Sequence, residues 1–470
     1  MDLDAGEIAA AIGAEVLAEG DGGTPRRAAV DSASVEPGDL FFGLRGERVD
    51  GGEFAAAALE AGAWGAVVGP GQGDGLSGAW VLRVDDPLVA LQGLATTWRR
   101  RLDAAVVGIT GSVGKTSVKD IARALLPGAV HANQQNLNTE IGLPLTVLAA
   151  PAETDVLVLE MAMRGPGQIA ELAAIAEPGV AAITNVGPVH IELLGSIEAI
   201  AAAKAEVLAA LPADGVAVVP VEAGELEPHL DRAPRLLRFG PGGDVAAVET
   251  RTEAGVTEAM IATPAGRQLF DFPFAEAHNL SNALAAVAIG TALGAPLAEM
   301  ADRAANIGFS RFRGERLELG EGIVLVNDCY NANPVSMRAA LDHLASFDAR
   351  RVAVLGEMAE LGPGAPLYHG EVGKHARRHG IDLLVGVGET SRAYAPDELV
   401  ADPAEAAELL AAQLEPGDVV LVKGSRSAGL EEVSEVLRTL LGGEGTPGRG
   451  VGGESSSDSS SPPTSRGGRA

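Results

Sequence analysis

The chain has 470 residues, too many for one hydrophobic core, and 47% are apolar, so two to four folded domains are expected. A formal charge of −29 argues against a nucleic-acid or membrane partner and requires local Lys, Arg or a metal wherever a polyanion binds. Cys329 is the single cysteine, which rules out an intramolecular disulfide and points to a reducing compartment. The N-terminus MDLDAGEIAAAIG lacks the basic segment and apolar core of a signal peptide, and no apolar run approaches a membrane span. A soluble cytoplasmic protein is therefore expected.

Residues 1–103 alternate short helical patterns (EFAAAALEAGA) with strand-like runs (DLFFGL, WGAVVG, WVLRV), as a small α/β unit does. A second unit, 104–310, opens on VVGIT and continues through DVLVLE and VAAITNVG, each followed by helical sequence, the pattern of parallel strands with crossover helices. The Ala-rich AHNLSNALAAVAIGTALG near its end reads as a helix. A third unit, 311–441, repeats the alternation with IVLVNDCY, RVAVLGEM, DLLVGVG and DVVLVKGS. From residue 442 to 470 the chain is Gly/Ser/Pro-rich without apolar periodicity and is expected to be disordered.

The segment GITGSVGKTS carries the chemistry. A buried strand runs into Gly111, Ser112, Gly114, Lys115, Thr116 and Ser117, and Val118, Ile121, Ala122 and Leu125 then recur at helical spacing. The loop thus lies at a helix N-terminus, where unpaired N–H groups and the helix dipole favour an anion. The glycines let the backbone approach phosphate oxygens, Lys115 can reach the terminal phosphates, and the Thr116 hydroxyl can bind Mg²⁺. The strict G-x-x-x-x-G-K-[ST] pattern is not met, since Ile109 takes the first glycine position. A glycine turn beside a solvated lysine is the bland alternative; strand, GK-[ST] and helix occurring together favour the phosphate loop. Glu160 ends a neighbouring strand, where spacing alone allows either a metal ligand or a solvated carboxylate. On chemistry alone, His190 reads as a loop histidine and Lys204 as a surface lysine.

In order along the chain, GITGSVGKTS, NLNTEIGLPLTVL, TNVGPVHIELLGSIEAIAAAKAEV, AHNLSNALAA, VNDCYNANPVSMRAAL, VLGEMAELG and LVKGSRSAGLEEV resemble the Mur ligases, over roughly Asp31 to Leu440. YNANP, NLN and KGSR are similar to the member that joins D-alanyl-D-alanine to UDP-N-acetylmuramoyl-tripeptide. The resemblance implies three α/β domains: a small UDP-binding domain, a central P-loop ATPase-like parallel-sheet domain and a C-terminal Rossmann-like domain. It also implies a reaction in which ATP phosphorylates the tripeptide's free carboxylate and the dipeptide amine displaces phosphate from the acyl phosphate. Such chemistry rests on positioning and charge neutralisation and needs no protein nucleophile.

Carried over residue by residue, the resemblance makes Lys115, Glu160, His190 and Lys204 catalytic. Thr116, Glu160, His190 and Lys204 would hold two Mg²⁺ ions, with Lys204 as a carbamate. His278, Asn279 and Asn282 would lie near adenine, and Arg316 and Asp328 near the phosphates and ribose. Asn136, Asn138 and Thr139 would contact the muramoyl peptide. Tyr330, Asn331, Asn333, Lys423, Ser425 and Arg426 would face the peptide or the dipeptide. Ser32, Arg45 and Gly46 would bind the uridine diphosphate. A monomer is expected.

Glu276, Val113, Asn327 and Cys329 depart from the family's usual residues, and Cys329 is expected to be a packed small residue rather than a nucleophile. Two rival readings are another ligase of the superfamily, tripeptide-forming or folylpolyglutamate-forming, and a nucleotide-binding scaffold without catalysis.

Overall fold

A computed structural model describes residues 1–134, 136–189, 191–222 and 224–442. The expected disordered tail, from 443 onward, and His190 lie outside the described residues.

Five strands, β1 (Glu15–Ala18), β2 (Ala28–Ala29), β3 (Leu40–Phe42), β4 (Gly65–Val68) and β5 (Trp80–Arg83), form the first sheet in the order β1-β5-β4-β3-β2. Only β1 runs antiparallel to its neighbour. Leu40, Phe42, Val67 and Leu82 pack in one core with Leu91, Leu94 and Trp98 of the helix Pro87–Arg101. That helix starts cleanly because Pro87 needs no N–H partner and the Asp86 carboxylate accepts the Leu88 and Val89 amides. It also joins the first domain to the second: the Trp98 indole donates to the Ala150 carbonyl at 3.0 Å, and Leu143 and Val147 share its core.

The central sheet comprises β6 (Ala105–Thr110), β7 (Val130–Ala132), β8 (Val156–Glu160), β9 (Val180–Ile183), β10 (Val216–Pro220) and β11 (Arg235–Phe239). The order is β11-β10-β9-β6-β8-β7, all parallel. From β6 the chain goes to one edge, returns through β8, and passes to the other side at β9. The crevice at the carboxyl end of β6 is therefore a topological switch point, where doubly wound sheets bind ligands. The helix Ala277–Ala292, with nine consecutive-face and interior residues buried including Ala283 to Gly290, packs beside the helix Lys115–Leu125.

A three-stranded antiparallel sheet, β12 (Ala246–Glu253), β13 (Val256–Thr263) and β14 (Gly266–Phe272), precedes that helix and was not expected. Its cue is local: Ala254 and Gly255 both have positive φ, 51° and 82°, as a two-residue hairpin turn requires. The apolar face is confined largely to Ala259, Ile261, Phe270 and Phe272, so the strands show little continuous apolar sequence.

The third sheet orders β15 (Glu315–Glu318), β16 (Val324–Asn327), β17 (Arg351–Leu355), β18 (Leu383–Val387), β19 (Glu398–Val400) and β20 (Val419–Lys423) as β15-β16-β20-β17-β18-β19. All pairs are parallel except β15 with β16. The central and third domains are tied where one leads into the other: the Asp120 carboxylate accepts both the backbone N–H and the hydroxyl of Ser310, at 2.9 and 2.8 Å.

Candidate active site

The phosphate loop leaves β6 and enters the helix Lys115–Leu125, whose first turn has no side-chain cap. Its amides are thus available to an anion. Gly114 has φ +82°, and a Cβ there would lie 2.4 Å from the Asn282 amide oxygen; a Cβ on Gly111 would lie 1.9 Å from the Thr184 hydroxyl. Both positions therefore demand glycine. The segment after β9 clamps the loop: Asn185 Oδ1 accepts the Val113 N–H at 2.9 Å, and the Thr184 hydroxyl donates to the Val113 carbonyl at 2.5 Å. The Ser112 hydroxyl donates to the Gly187 carbonyl and accepts the Gly187 N–H, at 3.0 and 2.9 Å. Lys115 folds back to donate to the Gly111 carbonyl at 2.8 Å. Burial pulls its pKa below the ordinary lysine value, and the nearby Glu160 carboxylate opposes that shift.

Glu160, at the end of β8, is buried and held on every side. Thr116 donates its hydroxyl to Oε2 at 2.8 Å, and Asn138 donates to Oε1 at 2.7 Å. Asn133 Oδ1 accepts the Glu160 backbone N–H at 2.5 Å. Lys204, the last residue of the helix Ile197–Lys204, is 2% exposed. After it the chain tightens into a 3₁₀ turn over Ala205–Ala210, which buries Ala205, Val207 and Leu208. Burial drives the Lys204 pKa well below that of a free lysine, and the Lys115 cation lowers it further. Among the described residues, no hydrogen bond or ion pair engages its amine.

The opposite wall comes from the third domain. Lys423, at the end of β20, is buried and donates to the Asp328 carboxylate at 2.7 Å and to the Asn331 carbonyl at 3.0 Å. The Arg313 guanidinium lies 4.2 Å from the centre of the Tyr330 ring, with its buried Nε unpaired. Arg313 also pushes the Lys115 pKa down, so the two cations face a common space. The two walls enclose a cavity of about 220 Å³ lined by Ser112 to Ser117, Glu160, His278, Asn279, Asn282, Arg313, Asp328, Asn331, Asn333 and Lys423. Lys115, Arg313 and Lys423 supply there the local positive charge that the acidic chain otherwise lacks.

Several sequence-derived residues take other places. Asn333 caps the helix Pro334–Ala345, its side chain accepting the Val335 and Ser336 amides, while also lining the cavity. Ser425 bridges loops, accepting the Ala359 N–H at 2.9 Å. Arg426 pairs with Glu431 at 3.0 Å, and Arg316 points outward, 53% exposed and 3.8 Å from Glu318. Ser425, Arg426 and Arg316 do not line the cavity, whereas Arg313 does. Asn138 grips Glu160, whereas Asn136 and Thr139 are exposed beside it. Ser32 opens a 3₁₀ turn capped by Asp31; Arg45 pairs with Asp50 in an isolated bridge, and the Gly46 N–H donates to the Val49 carbonyl. These three sit on loops of the first domain outside the cavity. Cys329 is fully buried and its thiol is pushed up to about 12, which suits packing and not nucleophilic attack.

Asn133, Thr184, Asn185 and Arg313 were not singled out from sequence. Asn185 had a usable signal, a polar residue directly after a buried parallel strand beside the phosphate loop. Asn133 had none, because its partner lies 27 residues away.

Comparison with known proteins places this geometry. The Mur ligase middle domain matches residues 109–290, the Mur ligase glutamate ligase domain 312–426 and the Mur ligase catalytic domain 28–75. The chain is 39% identical over 425 residues to the UDP-N-acetylmuramoyl-tripeptide–D-alanyl-D-alanine ligase of Synechocystis, covering 87% of this chain and 90% of that one. The MurF crystal structure from Acinetobacter baumannii superimposes with a TM-score of 0.85 at 28% identity, over 93% of this chain and 99% of that one. The Thermotoga maritima MurF ligase in complex with ADP gives a TM-score of 0.79 at 30% identity, over 88% and 98%. With its three domains and its phosphate loop matched across nearly the whole length, the chain belongs to the Mur ligase family.

Proposed function

We propose that this chain is the ATP-dependent ligase that joins D-alanyl-D-alanine to the terminal carboxylate of UDP-N-acetylmuramoyl-tripeptide, giving the pentapeptide precursor of peptidoglycan, ADP and phosphate. The observation that carries it is the facing of Lys115 and the Thr116–Glu160 pair, on the central domain, with Arg313 and the Lys423–Asp328 pair on the third, across one cavity.

On this reading the first-turn amides and Lys115 bind the terminal phosphates of ATP, and Arg313 approaches them from the other wall. The peptide carboxylate oxygen attacks the γ-phosphorus, the bond to ADP breaks, and an acyl phosphate forms. The dipeptide amine then attacks the carbonyl carbon, loses a proton, and phosphate leaves. Asn138 and Asn133 hold Glu160 still, and Lys423 keeps Asp328 and the Asn331 backbone in place for the incoming substrate. Catalysis comes from this fixed electrostatic frame.

The residues present fit Mg²⁺, because the Thr116 hydroxyl and the Glu160 carboxylate are hard oxygen donors held together. The fit extends to a carbamate at Lys204: burial keeps its amine neutral enough to add to CO₂ with loss of one proton, and the product would relieve an unpaired buried amine beside Lys115. Bound Mg²⁺ supplies charge neutralisation at the transferring phosphoryl group. We assign His190 to a second such ion on the resemblance alone. A monomer is proposed on the resemblance alone, and no helix among the described residues is long and apolar enough to cross a membrane. We place the enzyme in the cytoplasm.

The test is phosphate release from ATP with the UDP-linked tripeptide, with and without D-alanyl-D-alanine. Release that needs both substrates is expected. Release that ignores the dipeptide and follows a single added amino acid would move the chain to a sibling activity.

A further inference from the structure

On the third domain, the helix Ala365–Arg378 packs against the helix Pro334–Ala345. His375 and His379 are one helical turn apart, and the His379 N–H still donates to the His375 carbonyl at 3.1 Å, so both rings project on one side. Across from them, a single oxygen of Asp342 lies 2.6 Å from His375 Nε2 and 3.5 Å from His379 Nε2. The ring centres are 4.3 Å apart, and one ligand atom from each of the three residues falls within 4.8 Å of the others.

We propose that Asp342, His375 and His379 form a divalent transition-metal site, separate from the nucleotide cavity, that staples these two helices together. Two imidazoles and one carboxylate are the donors that Zn²⁺, Ni²⁺ or Cu²⁺ prefer over Mg²⁺. Zinc bonds of about 2.0–2.2 Å to such ligands need the three donor atoms a little over 3 Å apart, so small side-chain rotations suffice. His379 and Asp342 have side chains 40% and 52% exposed, which leaves an entry path and a fourth position for water. Without a metal the same cluster would be a surface ion pair in which one carboxylate oxygen accepts from both imidazoles, and titration with zinc separates the two. The staple has a consequence: the helix Pro334–Ala345 begins at Asn333 and contributes Ser336 and His343 to the cavity wall, so occupancy would stiffen that wall.

The experiment titrates Zn²⁺ into the tag-free full-length enzyme by calorimetry in millimolar Mg²⁺, which occupies hard-oxygen sites. One tight equivalent is expected, with the melting temperature raised by zinc. His375→Ala and His379→Ala should each weaken binding on the order of tenfold or more and abolish the thermal shift. His379 is exposed at the helix end, so its replacement keeps the test sound should the His375 variant fold poorly. Cu²⁺ bound in the same place should show electron paramagnetic coupling to two imidazole nitrogens, reduced to one in the His379 variant. Zinc binding unchanged in both variants, no binding at micromolar zinc, or a copper signal without the paired nitrogens overturns the proposal.

Discussion

Two loop systems in this molecule sit at the carboxyl ends of parallel strands and are built to opposite standards. Around β6, β8 and β9 the side chains that shape the phosphate loop have protein partners, Thr116 and Asn138 on Glu160, Asn185 on Val113 and Ser112 on Gly187, while the Thr110 hydroxyl is buried without one. After β2 and β3 of the first domain, Arg45 and Gly46 are exposed, and among the described residues no hydrogen bond or ion pair engages the Arg45 side chain. The first arrangement is paid for during folding, so no reorganisation is needed when charge shifts in a transition state. If the second holds the UDP moiety as proposed, the cost of fixing its exposed side chains falls on binding. Side chains on the locked wall should therefore govern kcat, its loop backbone the binding of ATP, and the open loops KM for the UDP-linked peptide.

The hardest blow to the locked wall is Lys204→Ala. If the buried amine becomes a charged oxygen ligand, its loss should cost on the order of 10³-fold or more in kcat, as removing preorganised electrostatic stabilisation does. ATP binding should survive, and a short carboxylate or excess bicarbonate should restore part of the rate. Stability should hold or rise, because an unpaired buried amine is removed. Full turnover in this variant, measured by coupled ADP release, would refute the assignment of the residue.

Gly114→Ala attacks the same wall through its backbone. The positive φ costs about 1–2 kcal/mol for an alanine, and the new methyl must also displace Asn282, 2.4 Å from where it would stand. A lower melting temperature and a KM for ATP raised on the order of tenfold to a hundredfold are expected, given that about 1.4 kcal/mol is a factor of ten. Calorimetric titration with a non-hydrolysable ATP analogue separates the binding loss from any loss of turnover.

Local pattern made some of this wall legible. Val106 to Ile109 followed by two spaced glycines and GK-[ST] describes a strand, an anion-binding turn and a helix within a dozen residues, and the structure has all three. What stayed hidden depends on distant pieces meeting. Lys204 reads as a surface lysine because its neighbours on the chain are alanines, and only the fold buries it near Lys115. Arg316 and Arg313 are both arginines in one short segment. Strand β15 pairs only with β16 at the sheet edge and leaves Arg316 exposed, whereas Arg313, ahead of the strand, reaches the cavity. The β12–β14 sheet was missed because most of β12 is polar and exposed and the buried residues of β13 and β14 are few and scattered, so only its turns mark it.

A finer cut is Asn133→Ala, which leaves the Glu160 carboxylate in place but removes the oxygen that accepts its backbone N–H and lets the strand end drift. Partners that orient a ligand in this way are worth about 10–100-fold. The expected signature is a fall in kcat of that size, a higher Mg²⁺ requirement, and little change in KM for the UDP-linked peptide. A rise in that KM alone would mean that Asn133 serves the peptide and not the carboxylate.

The smallest effect should come from the open loops. Arg45→Ala removes a charged group that is already solvated in the free protein, so folding loses nothing measurable. The variant should raise KM for the UDP-linked tripeptide about tenfold, a loss of roughly 1.4 kcal/mol, with kcat and KM for ATP unchanged. Because an exposed arginine acts through a screened field, the gap between variant and parent should narrow as salt is raised. A fall in kcat with unchanged KM would instead mean that this loop closes onto the reacting groups, and the division between a locked wall and an open one would no longer hold.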